Sequence, residues 1–206
     1  MQRKVYKTEL LQTIRDDVWN FYDSPLYQYR KQNNYYPVFG EGSHDAKIMF
    51  IGEAPGKKEA LSGRPFCGAS GKMLDTLLES IGLLRADVYI TNIVKDRPQD
   101  NRDPFPEEIV LYAPFLNRQI EIIQPRIIAT LGRYSMRYMF EHLGLISLRK
   151  PIGVLHGASF EVETSYGMVI LIPLYHPAVA LYNGSMRGVL KDDFKMIQKY
   201  LPHSKK

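Results

Sequence analysis

Residues 47–81, KIMFIGEAPGKKEALSGRPFCGASGKMLDTLLESI, constrain the fold more than any other part of the chain. Residues 47–51 are mostly apolar and β-favouring; Gly52-Glu53-Ala54-Pro55-Gly56 interrupts them, and a helical stripe of Met73, Leu74, Leu77, Leu78 and Ile81 follows. The segment reads as strand, long glycine-rich loop and helix. The loop carries two glutamates, Glu53 and Glu59, one aromatic, Phe66, and the glycines Gly56, Gly63, Gly68 and Gly71, beside which a ligand can lie close to backbone. That is the composition of a pocket wall. A phosphate-binding loop fits poorly: in residues 66–73 a Phe stands where the first Gly belongs and a Met where Ser or Thr would hold magnesium, and G-x-G-x-x-G spacing is absent. Taken alone, the stretch is equally compatible with a structural loop bearing incidental glutamates.

The rest of the chain alternates in the same manner. Residues 6–22 predict an amphipathic helix on Leu10, Leu11, Ile14, Val18, Phe21 and Tyr22, and residues 27–42 a surface connection packed by its own tyrosines. Strands are expected at 88–93 (VYITNI), 126–131 (RIIATL) and 168–173 (MVILIP), separated by a helix from Pro106 to about residue 123 and a short helix at 134–142. Residues 154–156 and 159–162 read as a hairpin-like excursion, 188–200 as a closing helix, and 202–206 as a polar tail. Four strands alternating with helices predict a three-layer α/β/α sandwich around a mainly parallel four-stranded sheet. One domain over residues 1–206 suffices, with 1–37 as its N-terminal helix and loop.

Composition bounds the function classes. The single cysteine, Cys67, excludes an internal disulfide and any Cys-rich metal site within one chain, and the five histidines show no i, i+4 pairing. No metal is therefore expected. No apolar run approaches a membrane span, and the charged, amphipathic N-terminus differs from a signal peptide, so a cytoplasmic protein away from membranes is expected. A formal charge of +5 with 14 tyrosines is compatible with nucleic acid, since cations neutralise phosphate and aromatics stack on bases.

In a parallel sheet, ligands bind outside the carboxyl ends of the strands. Those ends carry Gly52-Glu53, Asn92, Gly132-Arg133 and Tyr175-His176. Topology alone gathers a carboxylate, a carboxamide and an imidazole on one rim. Asn92 offers donor and acceptor side by side, as reading a base edge requires; Phe66 can stack on that base, and His176 can donate to negative charge on a leaving group. Each also has an ordinary structural role open to it: a turn cap, a core ring, a satisfied histidine. Lys95, Arg97 and Arg102, in the proline-bearing loop 94–106, suit phosphate contacts or a solvated charge run.

The segments 38–59 (VFGEGSHDAKIMFIGEAPGKKE), 63–78 (GRPFCGASGKMLDTLL), 87–109 (DVYITNIVKDRPQDNRDPFPEEI), 125–140 (PRIIATLGRYSMRYMF) and 171–181 (LIPLYHPAVAL) resemble, in order and spacing, the uracil-DNA glycosylase superfamily, most closely its family 4. The resemblance implies a monofunctional DNA repair glycosylase that hydrolyses the N-glycosidic bond of a flipped deoxyuridine, releases uracil and leaves an abasic site. It implies catalytic roles for Glu53 (the attacking water), His176 (the departing uracil anion) and Glu59 (pocket support and exclusion of thymine). It implies a substrate pocket of Gly52, Ala54, Pro55, Gly56, Phe66 and Asn92. Pro177, Ala178 and Leu181 would wedge into the duplex, and Lys95, Arg97, Arg102 and Arg187 would hold phosphates. DNA, single- or double-stranded, is the expected partner, and a monomer the expected state. The alternatives are a non-catalytic DNA-binding relative and a glycosylase for another deaminated base such as hypoxanthine.

In one respect the chain departs from family 4, whose members typically hold a [4Fe–4S] cluster on four cysteines. The corresponding positions here are Phe21, Ser24, Asp96 and Tyr112, none of which replaces a thiolate. The expectation is an enzyme without cofactor, its N-terminal helix and Asp96 loop held by packing and hydrogen bonds.

Overall fold

A computed structural model describes the backbone of residues 2–201 and the side chains of residues 5–201. The tail at 202–206 therefore lies outside the described residues. The chain opens with α1 (Gln2–Trp19) and α2 (Tyr27–Gln32), then β1 (Glu41–Gly42) and β2 (Ile48–Gly52), followed by α3 (Lys57–Ser62) and α4 (Ala69–Ser80). Next come β3 (Tyr89–Asn92), α5 (Pro106–Ile123), β4 (Ile127–Leu131), α6 (Arg133–His142) and α7 (Ile152–Leu155). The hairpin β5 (Phe160–Thr164) and β6 (Gly167–Leu174), the short α8 (Val179–Tyr182) and α9 (Met186–Gln198) complete it.

The six strands form one sheet in the order β1-β3-β2-β4-β6-β5. The central four are parallel to their neighbours, and the two edge strands, β1 and β5, pair antiparallel. The four expected strands are thus the interior of a six-stranded sheet. They were legible because burial on both faces demands continuous apolar runs such as IMFIG and IIATL. The added edges lack that signature: β1 is two residues long, and β5 (FEVET) alternates partly buried and exposed positions. Of the expected excursion, residues 160–162 belong to β5 while 154–155 are helical, and the connection at 27–42 contains α2.

Alternation along the strands divides the core in two. Met49, Ile51, Tyr89, Ile128 and Leu171 face α1, α5, α6 and α7, whereas Phe50, Ile90, Ala129, Ile172 and Leu174 face α4, α8 and α9. This is the three-layer α/β/α arrangement. At the start of α5, Pro106 occupies the first turn and the Glu108 carboxylate accepts from the Phe105 N–H at 2.8 Å, closing the helix end. Register places Gly52 opposite Asn92, and Leu131 opposite Leu174, so the strand ends form one rim. No helix among the described residues is long and apolar enough to cross a membrane.

Candidate active site

Gly52, at the end of β2, sets the geometry of the rim. A Cβ there would collide with Asn92 Oδ1 and would lie 2.8 Å from the Phe66 ring, so only glycine lets the carboxamide and the ring close over the strand end. Asn92 is 2% exposed, yet no group among the described residues bonds its carboxamide. Asn92 lines the cavity described below, so its carboxamide is free to pair with a ligand there. Phe66 is held at a left-handed backbone position (φ 48°), with its ring centroid 5.5 Å from that of His176.

His176 follows β6. The Ala178 N–H donates to its Nδ1 at 3.2 Å, which makes Nδ1 the acceptor and leaves the ring proton on Nε2. Burial pushes its pKa down to about 4, against the opposing pull of the Glu59 carboxylate, so at neutral pH the ring is an uncharged donor. Gly132 (φ 102°) permits the close passage beneath it, since a Cβ at that position would sit 3.3 Å from His176 Cβ.

The Glu59 carboxylate is buried and accepts through Oε1 from the N–H groups of Cys67 (3.0 Å) and Gly68 (2.8 Å). It thereby pins the loop that carries Phe66 to α3. Glu53 is half-buried just beyond Gly52; burial, aided by the negative charge of Asp103 and opposed by Arg133, raises its pKa to about 7. Asp103 is itself anchored, accepting from Arg133 Nη2 and Tyr134 OH at 2.7 Å each.

These elements enclose a cavity of about 300 Å³ lined by Ala54, Gly56, Glu59, Phe66, Ser70, Asn92, Asn101, His176 and Tyr182. Six of the nine are expected site residues. Gly52 and Pro55 are buried behind the lining, and Glu53 stands at the rim outside it. Sequence reasoning missed Ser70, Asn101, Tyr182 and the charge of Asp103 beside Glu53. Tyr182 had a usable signal, one residue past the expected wedge and 90% exposed; the others are ordinary polar residues gathered only by folding.

Three of the expected phosphate contacts need correction. Lys95 is fully buried, its ammonium donating to Thr91 Oγ1 (2.8 Å), the Asn92 carbonyl (2.6 Å) and Gln119 Oε1 (2.7 Å). It braces the strand end beneath Asn92 and cannot reach a phosphate. Arg97 is 8% exposed and spends its guanidinium on Asn101 (2.8 Å) and the hydroxyls of Tyr29 and Tyr35 (2.9 Å each). Arg102 grips the Glu108 carboxylate with both terminal nitrogens, at 2.8 and 2.5 Å, which neutralises it. Arg187 is exposed, Leu181 is 45% exposed, Ala178 is partly buried and Pro177 is buried beneath them.

The positions assigned to cluster ligands do converge, but on one another. The hydroxyls of Ser24 and Tyr112 are 2.7 Å apart, Tyr112 donates to Asp96 Oδ2 at 2.5 Å, and Arg30 Nη1 reaches both Asp96 oxygens at 3.1 Å. Phe21 packs edge-on against Tyr112 and Phe115. The network fills the interior there and offers no thiolate; Cys67, the one cysteine of the chain, lies in the pocket loop against Ser62. These residues do not fit an iron–sulfur cluster.

A family model described as the Uracil DNA glycosylase superfamily matches residues 39–203. The chain is 47% identical to the Type-4 uracil-DNA glycosylase of Saccharolobus solfataricus over 193 residues, covering 93% of this chain and 86% of the relative. It is 45% identical to that of Sulfurisphaera tokodaii over 189 residues, covering 91% and 83% respectively. With that of Thermotoga maritima the identity is 34% over 200 residues, covering 95% and 96%. The sheet order, the rim and a match over most of the chain agree: this protein belongs to the uracil-DNA glycosylase superfamily.

Proposed function

We propose that the chain is a monofunctional uracil-DNA glycosylase, hydrolysing the N-glycosidic bond of deoxyuridine in DNA to give free uracil and an abasic site. The observation that carries this reading is that a single cavity, at the small end of ligand-sized clefts, joins an uncharged imidazole N–H, a carboxamide and an aromatic ring in its lining. Breaking the bond leaves its electron pair on the base and positive character on the sugar. His176 Nε2–H donates to the uracil oxygen on which negative charge develops. A neutral donor suits this task, being preorganised and carrying no charge that must be desolvated. Asn92 accepts from the uracil imide N–H and donates to the adjacent carbonyl, a pattern that cytosine reverses. Phe66 stacks on the ring, and Glu59 acts through the loop it pins, fixing that ring and narrowing the space for a 5-methyl group. Water adds to the sugar carbon and yields a proton to the Glu53 carboxylate.

Among the described residues no lysine lines the cavity, which favours hydrolysis over Schiff-base chemistry. The buried Ser24–Tyr112–Asp96–Arg30 network, at positions that offer no thiolate, braces the N-terminal region by hydrogen bonds. Arg187 and loop backbone hold the flanking phosphates, while Pro177, Ala178 and Leu181 occupy the gap left in the stack.

The test is release of free uracil from a single-stranded oligonucleotide by the purified protein. Replacing the anion-stabilising donor in His176→Ala should slow release about 10²–10³-fold. Asn92→Ala should weaken discrimination against cytosine as well as rate. Equal activity in all three proteins, or none in the parent, overturns the reading.

A further inference from the structure

A second concavity of about 300 Å³ lies between α1, α2 and the segment leading to β1, with Trp19, Tyr22, Tyr27, Tyr36, Arg30 and Lys31 in its walls. Its aromatic rings are not core: Trp19 is 52% exposed, Tyr22 62% and Tyr36 48%. They are nevertheless held in place. The Trp19 and Tyr36 rings lie 5.9 Å apart at a 36° tilt, and Tyr22 meets Tyr27 edge-on at 5.0 Å. The Tyr36 N–H donates to the Ala60 carbonyl at 2.7 Å, and Arg30 Nη2 donates to the Trp19 carbonyl at 2.7 Å while its guanidinium lies 4.9 Å from the centre of the Tyr27 ring. Fixed, solvent-facing aromatic surfaces in a hollow are a platform for flat rings. The exposed Lys31 beside them adds positive charge.

The groove adjoins the uracil pocket. Tyr35, also in its wall, accepts from Arg97 at 2.9 Å; Arg97 donates to Asn101 at 2.8 Å, and Asn101 lines the pocket. On the other side, Ala60, to which Tyr36 is bonded, directly follows Glu59 of the pocket. Hydrogen bonds through Arg97 thus link the two walls. We propose that this groove is a second nucleic-acid subsite, in which an unpaired base of the strand that carries the lesion stacks on Trp19 and Tyr36 while Lys31 meets its backbone. The proposal rests on the glycosylase reading for the identity of that strand, and predicts a preference for single-stranded flanks.

Trp19 is the one tryptophan of the chain, so its fluorescence reports on the groove directly. A uracil-free dT12 oligonucleotide should quench it, and added salt should reverse the quenching. With single-stranded uracil substrates, kcat/KM should rise as a trinucleotide is lengthened to twelve nucleotides. In Tyr36→Leu that gain should fall about tenfold while activity on the trinucleotide is unchanged, as expected from loss of one base–aromatic stack. Lys31→Ala, at an exposed side chain that does not threaten folding, should reduce the gain as well. Binding of dT12 without change in Trp19 fluorescence, or a full length-dependent gain in both variants, overturns the subsite. Absence of uracil release from any substrate overturns the glycosylase reading instead, and the quenching experiment still decides the groove.

Discussion

Burial drives Glu53 and His176 toward their uncharged forms, Glu53 up to about 7 and His176 down to about 4. Only the ionised Glu53 can take a proton from water, so kcat/KM for uracil release should rise with pH as a single ionisation near 7. His176 already stands neutral throughout that range. Glu53→Gln should remove the rising limb together with most of the activity, as measured in a pH–rate profile of the free enzyme. Stability should respond as well. The raised Glu53 pKa means the folded state keeps a proton that the unfolded chain loses above about 4.5, so stability falls as pH rises from there through 7. The lowered His176 pKa has the opposite effect, adding stability as pH rises from about 4 to 6.5. The two nearly cancel between about 4.5 and 6.5, and Glu53→Gln should unmask the rise due to His176 in denaturant titrations. At this scale the sequence was informative about residue type and weak about environment. Asn92, Phe66 and His176 line one cavity, whereas Lys95 looks like a surface cation in VKDRP and is buried. The four-residue spacing from Thr91 is as compatible with solvent as with the interior; folding adds Gln119 of α5 to the Thr91 hydroxyl and the Asn92 carbonyl as acceptors, and burial pulls the Lys95 pKa well below the usual lysine value.

Two elements, α1 with its following turn and the loop after β3, are joined by the Arg30–Asp96 pair and the Tyr112 hydroxyl. Burial raises the Asp96 pKa, and Arg30 and Tyr112 oppose that shift by favouring the carboxylate. Such a pair contributes little relative to an apolar replacement, yet breaking one half leaves the other charge buried alone. Asp96→Asn should therefore cost about 3–5 kcal/mol of folding stability, with Arg30 stranded. Tyr112→Phe, which leaves the Asp96 carboxylate short of a donor and the Ser24 hydroxyl short of an acceptor, should cost about 1–3 kcal/mol. Chemical denaturation measures both. Because Arg97 directly follows Asp96 and holds Asn101 at the pocket, both variants should also lose uracil-release activity below the denaturation midpoint of the parent. The helices and interior strands were readable from apolar periodicity. The edge strands were not, since a two-residue ladder and a strand with one solvated face leave no continuous apolar run.

For the whole molecule, a net charge of +5 is modest, and several of its cations are already committed to internal partners. Affinity for single-stranded DNA should therefore depend on few phosphate contacts, with log K falling against log salt at about −0.7 per contact. Removing the exposed Arg187 as Arg187→Ala should make that slope shallower by about 0.7, whereas Arg102→Ala, whose charge Glu108 already neutralises, should change stability more than slope. Fluorescence-anisotropy titrations at several salt concentrations separate the two. The layered architecture follows from the alternation of apolar strands and amphipathic helices, and the chemical inventory of the site from Glu53, Phe66, Asn92 and His176 at the strand ends; both are local patterns that a linear sequence carries. Which cations face solvent, and how Phe21, Ser24, Asp96 and Tyr112 come to interlock, are settled by residues 66 to 88 positions apart or by burial that no local pattern encodes. Side-chain environment is a property of what packs from elsewhere in the chain, and in this protein that packing decides the charge state of the site and the shape of the groove beside it.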